Sequence, residues 1–209
     1  MAGMPTEKQL PPDFDPQHEV LLNDKSLRAL AHPVRVKLLG LLRIEGPATA
    51  TGLAEKLGLN SGATSYHLRQ LAGAGFIVDD TERGTGRDRW WRAAHRSTWY
   101  VPQVAESDDP AAGYAYLRAV GMMAIEQIQA SLDQGPTLPL RWQDAEMMSD
   151  YALRLTPDEM SELTERISLL IRSYRRDDPE DDLGAPPDAT SVQVQVQAFV
   201  RPGALDVEP

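Results

Sequence analysis

The stretch Thr51–Arg92, TGLAEKLGLNSGATSYHLRQLAGAGFIVDDTERGTGRDRWWR, constrains this chain more than any other part of it. Leu53, Ala54 and Leu57 recur at helical spacing, with Thr49 or Ala50 at the start. Gly58 follows where a helix ends on a left-handed residue. Asn60 or Ser61 caps a second helix that runs to about Ala74 and buries Ala63, His67 or Leu68, Leu71 and Ala72. Gly75 stops it, and Phe76-Ile77-Val78 reads as a strand. Arg83-Gly84-Thr85-Gly86 is turn chemistry, and Asp88 to Ala93 returns as a second strand. Helix, tight turn, helix and basic hairpin in that order let a small domain set one helix into a DNA major groove and reach sideways with a loop.

Upstream, Leu21, Leu22, Leu27, Leu30 and Ala31 predict a first helix capped by Asn23 or Asp24. Pro33 suits the first position of the next helix, which carries Val34, Leu38, Leu41 and Leu42 and ends at Gly46-Pro47. Downstream, after the Pro- and acid-rich break Pro102–Pro110, Tyr114 to Leu132 reads as one amphipathic helix. Its stripe is Leu117, Val120, Met123 or Ala124, Ile128 and Leu132, and Gly135-Pro136 stops it. Met147 to Leu155 alternates like a strand, with a helix over Trp142–Met148 as the other reading. Thr156-Pro157-Asp158-Glu159 is a capping box with proline at the first helical position. That helix carries Met160, Leu163, Ile167, Leu170 and Ile171 and ends in Arg175-Arg176, where positive charge suits its dipole. Ser191 to Val200 alternates Val and Gln, which predicts a strand with one buried face.

Charge separates the chain into parts. The net charge of −10 argues against a nucleic-acid partner only if it is spread evenly. Residues 25–99 hold twelve Lys/Arg against six Asp/Glu, a balance of +6, which leaves −16 for the remainder. Cysteine is absent, which removes disulfides, thiolate metal sites and thiol redox switching together. No apolar run approaches 18 residues, so no membrane span is expected. The N-terminus lacks a basic start followed by an apolar core, so a cytoplasmic protein without a signal peptide is expected.

Five blocks stand in one order: LAHPVRVKLL at 30–39, LAEKLG at 53–58, SYHLRQL at 65–71, GFIV at 75–78 and Gly86-Arg87. Together they resemble the winged helix-turn-helix of ArsR-type transcriptional regulators, over about residues 24–95. The resemblance implies a dimer that binds an operator in double-stranded DNA near a promoter, usually as a repressor. The expected architecture is then α+β. Residues 1–22 form a flexible arm, 23–101 the winged helix-turn-helix domain and 111–134 a dimerisation helix. Residues 140–202 form a small strand–helix–strand module with an acidic linker at 177–188.

A recognition helix needs small polar side chains at its N-terminal end so that its backbone can approach base edges. Ser61, Gly62, Thr64 and Ser65 fit, Tyr66 and His67 follow, and Arg69 lies one turn beyond Ser65. Ser61 could equally serve as a cap, and His67 could pack against the first helices. Arg83, Arg87 and Arg89 surround the hairpin glycines, where arginines follow phosphates or enter a minor groove. Trp90, Trp91 and Trp99 could stack on bases, but large aromatics dominate cores, so at least two are expected to pin the wing to the helical body.

The ArsR resemblance also implies where metal sensing would sit, and neither place is furnished. No cysteine accompanies the Leu53–Leu57 helix, and no histidine follows His95. The four histidines, at 18, 32, 67 and 95, form no ligand pair at helical spacing. No phosphate loop, serine elbow or zinc motif appears, so neither an enzyme nor a bound cofactor is expected. The C-terminal module is the candidate seat of a small-molecule effector, or else only a support for the homodimer; the sequence leaves both open. The rival to a DNA reader is a winged helix used only for protein contact. The +6 balance and the polar start of the recognition helix favour DNA.

Overall fold

A computed structural model describes residues 14–83, 89–101, 110–175 and 184–205. They divide into two compact units, the first ending at Pro136 and the second beginning at Thr137.

In the first unit the order is β1 (Glu19–Leu21), α1 (Asp24–Leu30), α2 (Pro33–Ile44), β2 (Ala48–Thr49), α3 (Ala50–Leu57) and α4 (Ser61–Gly73). Then come β3 (Ile77–Asp79), β4 (Trp90–Ala93), β5 (Ser97–Trp99) and α5 (Pro110–Gln134). Capping chemistry sets the helix starts. Asn23 and Ser26 make a reciprocal capping box on α1. His32 Nδ1 accepts from the Val34 amide and caps α2, whose first residue is Pro33. Gly58 ends α3 at φ +62°, a left-handed conformation that a Cβ disfavours, and the Leu59 amide closes the turn onto Ala54 O.

β2, β4 and β3 form a three-stranded antiparallel sheet in the order β2-β4-β3. α3 packs on α4, α2 packs on α4 and β4, and α5 lies across α1 and α2. Leu27, Leu38, Leu53, Leu68, Leu71, Phe76, Ile77 and Trp91 are buried together as one core. Arg43, at the end of α2, donates from Nε to His95 O and from Nη2 to Thr98 Oγ1. Those bonds tie the helix to β5, while burial lowers the arginine's pKa to about 10.

Three expectations change. Residues 19–22 do not belong to a loose arm. β1 pairs in parallel with β5, Glu19 with Ser97 through Leu21 with Trp99, and Leu22 lies in the core. Ser97 Oγ donates to the buried Glu19 carboxylate, which also accepts the Asp15 amide. Residues 1–13 lie outside the described residues, as does part of the acidic linker, 177–183. Second, α5 is longer than Tyr114–Leu132 and apolar on two opposite faces. Ala112, Tyr116, Ala119 and Met123 turn inward, while Leu117, Ile125, Ile128 and Leu132 are exposed. The stripe read from the sequence mixed these faces.

Third, the second unit contains the short helix α6 (Leu140–Gln143) and the capped helix α7 (Pro157–Arg172), but neither expected strand. Thr156 Oγ1 accepts the Glu159 amide and Glu159 Oε2 accepts the Thr156 amide, as the capping box required. The alternating segments 147–155 and 191–200 join no sheet among the described residues. Alternation specifies which side chains share a face; a strand also needs a neighbour for its N–H and C=O groups.

Replacing Leu68 by Ala, which would open a cavity under α4, is expected to cost the first unit roughly 2–5 kcal/mol in urea unfolding. A loss below about 1 kcal/mol would show that α4 is not anchored as described.

Candidate nucleic-acid interface

α4 projects because its two sides differ. Thr64, Leu68 and Leu71 are buried, while Ser61, Gly62, Ala63, Tyr66, Arg69 and Gln70 are exposed. The cap on α4 is Asn60, whose Oδ1 accepts the Ala63 amide at 2.9 Å. Ser61 is therefore not needed as the cap and stands exposed in the first turn. A helix N-terminus also presents amide donors and a positive dipole end to phosphate.

The sequence-selected residues do not all lie on that face. Thr64 is fully buried and its hydroxyl donates to Asn60 O, so it faces its own helix rather than a base edge. Serine-like chemistry at this position misled because a threonine also satisfies a helix's own backbone while its methyl packs inward. Ser65 is half-buried and Tyr66 exposed.

His67 is half-buried with its ring 4.5 Å from that of His32, so it packs at the junction of α1 and α2. Tyr66 meets the His67 ring edge-on at 5.4 Å. Gln70 was not selected from sequence, yet it stands one turn beyond Tyr66 on the exposed face. Its i+4 spacing was the available signal, and a glutamine amide can read adenine with two hydrogen bonds.

The wing arginines divide as well. Arg89 pairs with Asp79 at 2.7 Å and lies 4.1 Å above the Trp91 ring, which anchors the base of the hairpin. Arg83 pairs more loosely with Asp80, at 3.4 Å. Arg87 lies outside the described residues. Arg69 is exposed and makes no ion pair among the described residues, which leaves its guanidinium available to a phosphate. Trp91 is buried in the core and Trp90 half-buried beside it on β4, so these two support the base of the wing, while the half-buried Trp99 lies on β5 opposite Leu21.

The His32–His67 pair makes this face sensitive to acid. Burial holds both histidines below the ordinary imidazole value, and neighbouring Arg35 pushes each further down. Protonating His32 Nδ1 would also turn the α2 cap from acceptor into donor. The unfolded chain thus binds more protons than the folded one, so stability is full above about pH 6.5 and falls as pH drops below it. The urea midpoint is expected to decline between pH 7 and pH 5. His32→Asn, which keeps a capping acceptor without titrating there, combined with His67→Asn, should flatten the decline to the share left by His95, whose pKa burial also lowers. An unchanged slope in the double variant would remove the pair from this role.

With the geometry in hand, comparisons with known proteins place this region. A helix-turn-helix domain family matches residues 30–79. The HTH-type transcriptional regulator NmtR of Mycobacterium tuberculosis is 44% identical over 55 residues. That match spans 26% of this chain and 45% of the relative, less than half of its length. Among solved structures, a C30AH42A mutant of Lactococcus lactis ZitR in apo form aligns with 69% of this chain and 84% of its own, at 15% identity and a TM-score of 0.31. Over residues 30–79 the chain therefore matches a helix-turn-helix domain family.

Proposed function

We propose that this chain is a sequence-specific, DNA-binding transcriptional regulator that works as a homodimer on an inverted-repeat operator, as a repressor in the cytoplasm. The observation that carries the reading is the exposed face of α4. Its first turn is small and polar at Ser61 and Gly62, and Tyr66, Arg69 and Gln70 continue the same surface. Small residues let the helix enter a major groove, and the longer side chains reach base edges and phosphates. The wing beside it carries Arg83, Arg87 and Arg89.

The two-faced α5 supports the homodimer. Its inner face is already occupied by α1 and α2, yet Leu117, Ile125, Ile128 and Leu132 remain exposed along the other side. A second copy of the helix would cover that stripe. A dimer also sets two recognition helices against two half-sites, which one helix alone seldom replaces. No metal input is part of the reading, since the chain has no cysteine and no histidine after position 95. A small-molecule effector acting through residues 140–202 remains within the reading. Among the described residues, no helix is long and apolar enough to cross a membrane.

Fragments containing an inverted repeat, selected from random DNA, should bind the protein with steep salt dependence. Arg69→Ala and Arg87→Ala should each weaken binding to all sequences and reduce the salt slope by about one. Ser65→Ala and Gln70→Ala should instead change which bases are preferred, at about 1–3 kcal/mol per base contact. No selected sequence at low salt would defeat the proposal. Separately, light scattering should find a dimer at micromolar concentration, and Ile125→Glu with Ile128→Glu should yield a monomer that has lost operator binding. A monomeric parent chain would remove the α5 seam.

A further inference from the structure

The junction where α4 meets the head of α2 gathers basic side chains and no acid. His67 of α4 and His32 before α2 set their rings 4.5 Å apart. Arg35, in the first turn of α2, supplies the standing charge beside both. Its Nη2 donates to Arg28 O of α1 at 3.2 Å, which keeps it there. Neither ring makes an ion pair among the described residues. α1, α3, α5, β3 and β4, which pack against α2 or α4, bring no carboxylate to bear on either ring.

The inward nitrogens of the two rings do not tolerate a proton. His32 Nδ1 accepts the Val34 amide at 3.2 Å, so it carries no hydrogen while it caps α2. His67 Nδ1 is sealed from solvent with no hydrogen-bond partner, and so is Arg35 Nε. An imidazolium donates from both of its nitrogens. Charging His32 therefore turns the cap against the amide it holds. Charging His67 leaves a buried N–H with no acceptor. Either event also adds a cation beside Arg35 with no anion to answer it. Moving His67 away from the head of α2 relieves all three, and Leu68 and Leu71 keep α4 in the core while it shifts. Tyr66 carries the shift outward, since it meets His67 edge-on at 5.4 Å and stands exposed on the face that Arg69 and Gln70 share.

We propose that the proton is an effector of this chain: with His32 and His67 neutral α4 is held in its reading position, and protonation of the pair releases the operator. The inference rests on the DNA-binding function proposed above and adds an input to it. Both rings titrate below the ordinary imidazole value, so release comes below about pH 6.5. Binding is reciprocal, so DNA in turn holds the pair neutral. A basic surface alone predicts the opposite sign, because added positive charge strengthens attachment to phosphate.

The test titrates the full chain onto an operator fragment selected at about pH 7.5, then repeats the titration at about pH 5.5 and the same salt. The operator Kd should rise about tenfold, a usual size for coupling between two sites. Binding to a fragment of unrelated sequence should hold or strengthen over the same interval. His32→Asn with His67→Asn should lose most of the rise, and His18→Asn should keep it. Equal or tighter operator binding in acid would overturn the inference and leave the DNA reading intact, and so would a double variant that keeps the full rise. If no operator is found at neutral pH, the DNA reading fails and this inference with it. Circular dichroism separates release from unfolding: a helical signal that falls in step with binding would overturn the switch. Should the double variant misfold, NMR titration of the histidine rings in the unsubstituted chain decides the matter. DNA should lower the midpoint of the His32–His67 pair, and a midpoint unchanged or raised by DNA would count against the proposal.

Discussion

The buried side of α4 is the constraint on which the rest of the first unit depends. Thr64, Leu68 and Leu71 lie on that side, fully sealed from solvent against the core that holds Phe76, Ile77 and Trp91. Once these positions are fixed inward, the 100° step of the helix dictates what faces out. Ser61, Gly62, Tyr66, Arg69 and Gln70 are outward because three other residues are inward. The tight turn at Gly58 then determines where the helix begins. The exposed face of α4 follows from how the core is packed.

A second consequence concerns α5. Helices that only complete a core carry one apolar stripe and a polar back. α5 buries Ala112, Gly113 and Ala119 toward its own unit and leaves a second stripe to solvent. Ala112, Gly113 and Ala119 let the helix come close to its own unit, Tyr116 and Met123 fill the same side, and Leu117, Ile125, Ile128 and Leu132 stay exposed on the other. Lys37 on α2 also pairs with Glu126 on α5, fixing how the helix is rotated and hence where the outer stripe points.

Legibility in the sequence followed the range of the interaction involved. Capping is local, so Asn23, Pro33, Gly58, Asn60 and the Thr156–Glu159 box marked helix ends within a residue or two. The β1–β5 pair was invisible. Two three-residue strands carry almost no periodicity, and Glu19 reads as a surface residue until Ser97 is known to meet it. Thr64 was misplaced as a contact because residue type alone does not say which way a first-turn hydroxyl points. Gln70 was overlooked because helical phase was applied to the buried side and not to the exposed one. In the second unit, the alternation at 191–200 is clear, but it describes faces and says nothing of what pairs with them.

Charge placement bears on how the proposed DNA-reading head would meet its target. The basic segment holds +6 and the rest of the chain −16, so the field far from the molecule is negative and opposes approach to DNA. At contact distance the proposed DNA reading turns on the opposite sign, because Arg69 is exposed and makes no ion pair among the described residues. These two effects screen differently. Salt at physiological strength damps the distant repulsion beyond about 8 Å while leaving short contacts largely intact. On the proposed function, an acidic remainder would weaken adhesion to arbitrary DNA, which depends on the summed charge, more than binding at a site where α4 made base contacts. Net negative charge in a DNA reader acts on this argument as a contribution to specificity, with affinity supplied locally by a few arginines on a face set by the core beneath it.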